Sequence, residues 1–289
     1  VRYGGNTSCI EVQVNDTLIV LDAGTGIRPL GQALCSPDSH IKTNRVHVFI
    51  THTHWDHIMG FPFFQPLRDI DTYLTVYGLR RSERPLEETL ARSLGKPLFP
   101  IPFTSQPART DFREVDFYTT FAIAPDVQVT TARLNHPYRA VGYRISSPSG
   151  SLAYVTDTAP FDQILFGDEQ VSWSREERTL DEHSRETLQR MHQGVLDLMV
   201  GADWVIYDTM FEPEEYTKRP HWGHSTPDHA IGLAAQAQAR HLILFHHDPH
   251  RTDREIDAIE GRYRARAAEV DLMLSAAREG LTLTRESDQ

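Results

Sequence analysis

The sequence predicts a layered α/β protein, two β-sheets with helices over their outer faces. Short apolar runs closed by turn signals recur through the first half and again beyond residue 200. Helical periodicity takes over in the second half, and no low-complexity linker divides the chain. A sheet must bury one face and an amphipathic helix one stripe, so this alternation resolves as sheets covered by helices in one domain of two similar halves, about 1–135 and 136–289.

Taken in order, 10–14 alternates, Asn15-Asp16 turns, 17–21 is an apolar strand and DAGTG (22–26) breaks it. The run 46–50 is a short buried strand. GFPFFQPL (60–67) holds too much Pro and aromatic for a regular helix and reads as a loop or wall. Strands follow at 72–77, 127–134, 140–146 and 151–156, with a helix at 84–94 stopped by Gly95 and Pro97. The stretch 179–200 carries Leu188, Met191, Val195 and Leu198 at helical spacing, with Gly201 as its cap. After a strand at 204–207, Thr226-Pro227-Asp228 opens a helix through the Ala-rich 229–240. A strand at 242–245 is followed by Thr252-Asp-Arg-Glu255, a capping box that opens a last helix to about Ala268.

The 289 residues carry a net charge of -11, which disfavours a long phosphate backbone as partner and leaves room for a small phosphorylated ligand at a local cationic centre. No apolar stretch is long enough for a membrane span. The opening VRYGGNTSCI shows no secretory leader, and Cys9 and Cys35 read as two buried thiols, so a reducing, cytoplasmic location is expected. The start at Val1 leaves open that the chain is a piece of a longer protein.

THTHWDHIMG (51–60) crowds His52, His54, Asp56 and His57 behind the strand at 46–50. Residues two apart in extended chain face one way, so His52 and His54 can address one point, and Asp56 and His57 a neighbouring one. Imidazole nitrogen and carboxylate oxygen suit zinc. Further polar residues close apolar strands downstream: His136 in LNHPY, Asp157 in YVTDTAP, and His246 and His247 in LFHHDPH. Each alone reads equally as a strand-end turn residue; together behind the first motif they form a candidate ligand set.

H-x-H-x-D-H with a later His, Asp and His resembles the metallo-β-lactamase superfamily. YGGNTSCIEV, LDAGTGIR, THTHWDHIMGFPFF, YVTDTAP, WGHST and LFHHDP are most similar to its ribonuclease Z-like and cyclic phosphodiesterase branch. The resemblance implies an αββα sandwich of two mixed sheets flanked by helices, with His52, His54 and His136 on one metal, Asp56, His57 and His246 on the other, and Asp157 bridging. His247 remains the alternative to His246. The family usually has one more strand before GGNTS. Two zinc ions are implied, with manganese or iron able to occupy the same donors, and a homodimer is implied as well.

The chemistry so implied is hydrolysis of a small phosphodiester, a cyclic nucleotide or cyclic ribose phosphate, by a hydroxide bridging two metals. Asp56 and His224 are the catalytic candidates; in the resembling branch the HST histidine assists the leaving group. His224 alone reads otherwise as a polar loop residue, and His221 as an exposed neighbour. Asp22 is either a partner for a ligand histidine or a turn residue. Trp55, Phe61, Phe63 and Phe64 are either an apolar wall or core. The alternatives are a tRNA 3′-processing endonuclease, a lactone or thioester hydrolase, and a non-catalytic nucleotide-sensing module. The endonuclease is placed second because the family's basic, Gly/Pro-containing arm is not visible in 161–201, which reads as mixed-charge helix.

Overall fold

The computed structural model describes residues 2–39, 41, 43–80, 84–93, 95–162, 164–167 and 180–285. They form two compact units, Asn6–Asp116 and Phe117–Gln289, the second joined by Val1–Gly5.

The Asn6–Asp116 unit is built on a five-stranded mixed sheet of order β1-β2-β3-β4-β5: β1 (Ile10–Val14), β2 (Thr17–Leu21), β3 (Arg45–Ile50), β4 (Tyr73–Leu79) and β5 (Arg109–Val115). The β1–β2 hairpin is antiparallel and turns at Asn15, with φ 50°, a conformation Asn tolerates. The other pairings are parallel. Helix α1 (Ile27–Leu34), the single turn α2 (Trp55–Ile58) and α3 (Leu86–Ser93) accompany them. Leu18, Val20, Val48 and Val76 from the strands pack with Ile27, Phe61, Phe64 and Leu90 into the unit's core. The GFPFFQPL stretch forms two short 3-10 turns, Phe61–Phe63 and Gln65–Arg68, each with Pro near its start. The β5 strand, RTDFREV, is not expected from the sequence: it lies at the sheet's edge, and its mostly exposed side chains leave no apolar alternation to read.

The second unit carries a seven-stranded mixed sheet of order β12-β11-β10-β9-β8-β7-β6. Its strands are β6 (Thr120–Ala124), β7 (Val127–Leu134), β8 (Ala140–Ser147), β9 (Gly150–Val155), β10 (Trp204–Asp208), β11 (His241–Phe245) and β12 (Met273–Ala276). The β6–β9 run is antiparallel and the β9–β12 run parallel. Thus β6 and β7, which fall before residue 135, pair in this sheet. Helices α4 (Glu182–Met199), α6 (Pro227–Gln236) and α7 (Asp253–Ala268) supply Val195, Met199, Ala230, Ala234, Tyr263 and Ala267 to a core with Ala153, Val205, Leu242 and Leu244. A further short helix, α5 (Pro213–Tyr216), precedes α6.

The fold class is therefore the expected one: α/β, two mixed sheets with flanking helices. Differences are local. The Asp181 side chain caps α4 by accepting from the Ser184 N–H, so Leu180 lies before the helix, and Thr179 and the REERT stretch lie outside the described residues. The Thr252 capping box holds as expected. The two thiols are not both buried: Cys9 is half-buried, its pKa pushed up by burial, whereas Cys35 caps the C-terminus of α1 and is exposed. Among the described residues no helix is long and apolar enough to cross a membrane.

On α6, burial lowers the His229 imidazole from 6.5 to about 4. An unfolded chain binds this proton near pH 6.5 while the folded one stays neutral down to about 4. This contribution is therefore full above pH 6.5 and is lost as pH falls toward 4. The loss is about 3 kcal/mol at most, at 1.36 kcal/mol per unit. Urea unfolding across that window is expected to show an acid slope that His229→Leu flattens.

Candidate metal-ligating clusters

In the first unit, the chain leaves β3 at Ile50, so His52 and His54 lie beyond the strand rather than in it. The backbone stays extended at His54, which precedes α2, and the two rings still converge: His52 Nε2 and His54 Nδ1 are 2.9 Å apart. Two ligands at 2.0–2.1 Å around a tetrahedral ion are separated by about 3.3 Å. Helix α2 then presents Asp56 and His57 together, with Asp56 Oδ2 3.4 Å from His57 Nε2.

Asp22 settles as a holding residue. It sits at the end of β2 with φ 62°, fully buried, in a conformation that disfavours most side chains but admits Asp. Its carboxylate accepts the Thr51 N–H (2.8 Å), the Thr51 hydroxyl (2.9 Å) and His57 Nδ1–H (2.8 Å). With Thr51 Oγ1 donating to Asp22, the hydroxyl oxygen is an acceptor for His52 Nδ1–H at 3.1 Å. Both histidines thereby keep Nε2 as the lone-pair nitrogen, the arrangement in which an outer carboxylate orients a metal ligand. Thr51 had no signal in the sequence beyond its place before the motif. Gly24 permits the close approach of this loop: a Cβ there would lie 2.3 Å from the Asp56 carbonyl oxygen.

In the second unit the strand-end residues also converge. His136 Nδ1–H donates to the Gly223 carbonyl at 2.8 Å, which turns Nε2 toward Asp157 Oδ2 at 3.7 Å. Asp157 follows β9 with φ 57°, accepts the Thr156 hydroxyl at 2.7 Å, and faces His246 Nε2 at 3.4 Å through Oδ1. His246 follows β11 with φ 60°. His247 points elsewhere, its Nε2 2.9 Å from the Ala277 carbonyl and its ring edge-on to Tyr3. His246 is the one of the pair grouped with acidic neighbours.

His224 is buried, with Nδ1 2.8 Å from Asp208 Oδ2 and its ring stacked on His246 at 4.7 Å. Donor atoms of Asp208, His224 and His246 lie within 4.8 Å of one another. Asp208 is not among the residues expected from the sequence, which predicts the strand only to Tyr207; as a polar residue closing an apolar strand, it carries the same signal as Asp157. Asp208 also accepts the N–H groups of Thr158 and Met210, so its position is fixed from three sides. His221 is half-buried rather than exposed. Of the four aromatics, Phe61 and Phe64 are core, while Trp55 and Phe63 are exposed.

Gly223 fixes the His136 contact. Its φ is 82°, and a Cβ would come 2.5 Å from His136 Nδ1. Gly223→Ala is expected to lower stability by about 1–3 kcal/mol through strain and overpacking. Thermal unfolding checks it; an unchanged midpoint would show that the loop relaxes freely.

The donor set fits a divalent cation. His57 and His136 each give Nδ1–H to an acceptor and turn a lone-pair nitrogen on a carboxylate oxygen at 3.4 and 3.7 Å. Two acceptors so opposed repel unless a proton or a cation lies with them. Nitrogen and carboxylate donors alone, with no thiolate, suit zinc and the harder first-row ions.

The comparisons with known proteins agree with this geometry. Residues 17–172 match the beta-lactamase superfamily domain. Ribonuclease Z of Lacticaseibacillus casei is 28% identical over 225 residues, covering 69% of this chain and 66% of that enzyme, just under two thirds of its length. Ribonuclease Z of Bacillus cereus is 26% identical over 272 residues, covering 84% of this chain and 83% of that one. Among solved structures, the short form of human tRNase Z superposes with a TM-score of 0.63 at 16% identity, covering 98% of this chain and 95% of that one. Zn(2+)-bound PqqB from Methylobacterium extorquens superposes with a TM-score of 0.58 at 18% identity, covering 96% and 87%. With the sheets, the histidine motif and the sequence match in agreement, and with relatives named ribonuclease Z as the resemblance implies, the chain belongs to the metallo-β-lactamase superfamily.

Proposed function

We propose that the chain is a metal-dependent phosphodiesterase. The observation that carries this reading is the set of preset imidazoles: His57 held by Asp22, His136 by Gly223 and His224 by Asp208. A sheet-end histidine kept for packing alone needs no such uniform orientation. The ligand assignment follows the resemblance: His52, His54 and His136 for one ion, Asp56, His57 and His246 for the other, and Asp157 for both. Zinc is the first choice, supported by the donor types and by the zinc-bound neighbour; manganese and iron remain alternatives.

When bound, the ions supply a nucleophile at neutral pH and neutralise charge on the phosphoryl oxygens. The chain's own residues do the rest. Asp22 and Thr51 hold His57 and His52 in one tautomer. Asp56 orients the attacking water by accepting its hydrogen bond. His224, with Nδ1–H on Asp208, delivers the proton on Nε2 to the departing oxygen, and Asp208 stabilises the imidazolium that precedes this transfer.

The substrate ranking differs from the one expected from the sequence. Relatives named ribonuclease Z weigh toward a tRNA precursor, and so against the expectation that long nucleic acid is disfavoured as a partner. The small phosphodiester is the second reading. In its favour, the described part of 161–201 is dominated by α4, whose Leu188, Met191, Val195 and Leu198 are buried against its sheet rather than carried on a projecting arm; residues 163 and 168–179 lie outside the described set. The net charge of -11 points the same way.

The test is metal analysis of the purified chain followed by assay on a tRNA precursor, 2′,3′- and 3′,5′-cyclic nucleotides, bis(p-nitrophenyl) phosphate and a lactone. About two metals per chain with 3′-end cleavage of the precursor establishes the endonuclease; turnover of cyclic nucleotides alone establishes the small-substrate enzyme. Lactone turnover without phosphodiester turnover would sink the reading. A chelator is expected to abolish activity, and added zinc to restore it.

A further inference from the structure

We infer that Trp55 is a stacking platform for a nucleobase adjoining the scissile phosphodiester, an assignment that rests on the phosphodiesterase reading. Trp55 stands between His54 and Asp56, and its side chain is 60% exposed. It is not alone. Met59 (40% exposed) and Phe63 (50%) follow at four-residue steps, Met59 N–H bonding the Trp55 carbonyl at 2.8 Å and Phe63 N–H that of Gly60 at 2.9 Å. Phe63 is braced edge-on by Phe99, with ring centroids 5.6 Å apart at 88°.

The core does not account for these three side chains. Ile58, Phe61, Phe64 and Leu67, from the same stretch, are buried and anchor the segment. Among the described residues no hydrogen bond, ion pair or ring engages the Trp55 side chain. Large apolar side chains left in water within one short stretch mark a binding surface. Position selects the occupant. The residue's Cα is one peptide unit, about 3.8 Å, from each of two proposed ligands, so a group attached to a metal-held phosphate is within reach of its exposed indole. A flat, amphipathic π-face without a directional polar partner suits stacking, which every base can offer and which is largely independent of its identity.

The experiment compares the holoenzyme with Trp55→Ala and Trp55→Phe, the latter keeping a ring and guarding against a variant that fails to fold. Two substrates are used, adenosine 2′,3′-cyclic phosphate and the same ribose cyclic phosphate without its base. Trp55→Ala is expected to raise KM for the adenosine substrate about ten-fold, to leave KM for the abasic one unchanged, and to be largely rescued by Trp55→Phe. In parallel, 5′-AMP is expected to quench the wild-type tryptophan fluorescence, and the quench to vanish in Trp55→Phe. Repeating the comparison on a tRNA precursor tells whether the base belongs to RNA or to a free nucleotide. An equal loss on both cyclic phosphates, or an AMP quench that persists in Trp55→Phe, overturns the inference. So does an unchanged KM accompanied by dissociation of a dimer, which would give the exposed tryptophan to a second copy. If the wild type cleaves no phosphodiester, the proposed function fails, and the AMP titration still decides Trp55.

Discussion

Replacing His224 with alanine is expected to lower kcat by about two to four orders of magnitude, the range for losing a positioned general acid, while the metal content stays unchanged. The argument is positional. His224 is buried and gives Nδ1–H to Asp208, which holds the ring in one orientation. Nothing in the proposed ligand set includes it. Asp208→Asn keeps the shape and removes the charge that supports the imidazolium, so a smaller loss in the same direction is expected. Metal content measured beside kcat for both variants is the check. If His224→Ala releases metal, the residue is a ligand and its assignment as proton donor falls.

The second large effect concerns Asp22. Asp22→Ala leaves the Thr51 N–H, the Thr51 hydroxyl and His57 Nδ1–H without their acceptor in a fully buried place. Each stranded buried donor costs about 1–3 kcal/mol, so a total loss of about 3–5 kcal/mol is expected. Metal affinity is expected to fall about 10–100-fold as His57 and His52 lose their orientation. Equilibrium unfolding and competitive chelation measure the two separately. Asp22→Asn retains an acceptor oxygen and is expected to be much milder in stability than in metal affinity. Equal stability of Asp22→Ala and the wild type would show that the network relaxes.

Much of the candidate site was legible because its residues obey a simple geometric rule. Apolar runs such as SLAYV and HLILF read as strands, and the polar residues that close them, Asp157 and His246, stand where strand ends meet. Asp208 is hidden by the same rule in reverse: the apolar run WVIY ends at Tyr207, whereas the strand continues one residue further to the carboxylate. Thr51 was illegible because a hydroxyl before a histidine motif looks like any turn residue; its role lies in the hydrogen bonds it makes. The strands β5, β6 and β12 were not anticipated. RTDFREV lies at a sheet edge with mostly exposed side chains, TFAIA lies at another edge with none fully buried, and MLSA is too short to show a period. Stability in such strands comes from pairing with a neighbour, which no local window contains.

Asp22, Asp157 and His246 share a left-handed backbone, with φ between 57° and 62°. Asparagine is at home in that conformation, and an aspartate codon becomes an asparagine codon by one base change. Drift at Asp157 would therefore erase the charge of a proposed metal ligand without disturbing the chain's path. A descendant lineage would then keep its shape and surface while losing hydrolysis, one mutational step from enzyme to receptor.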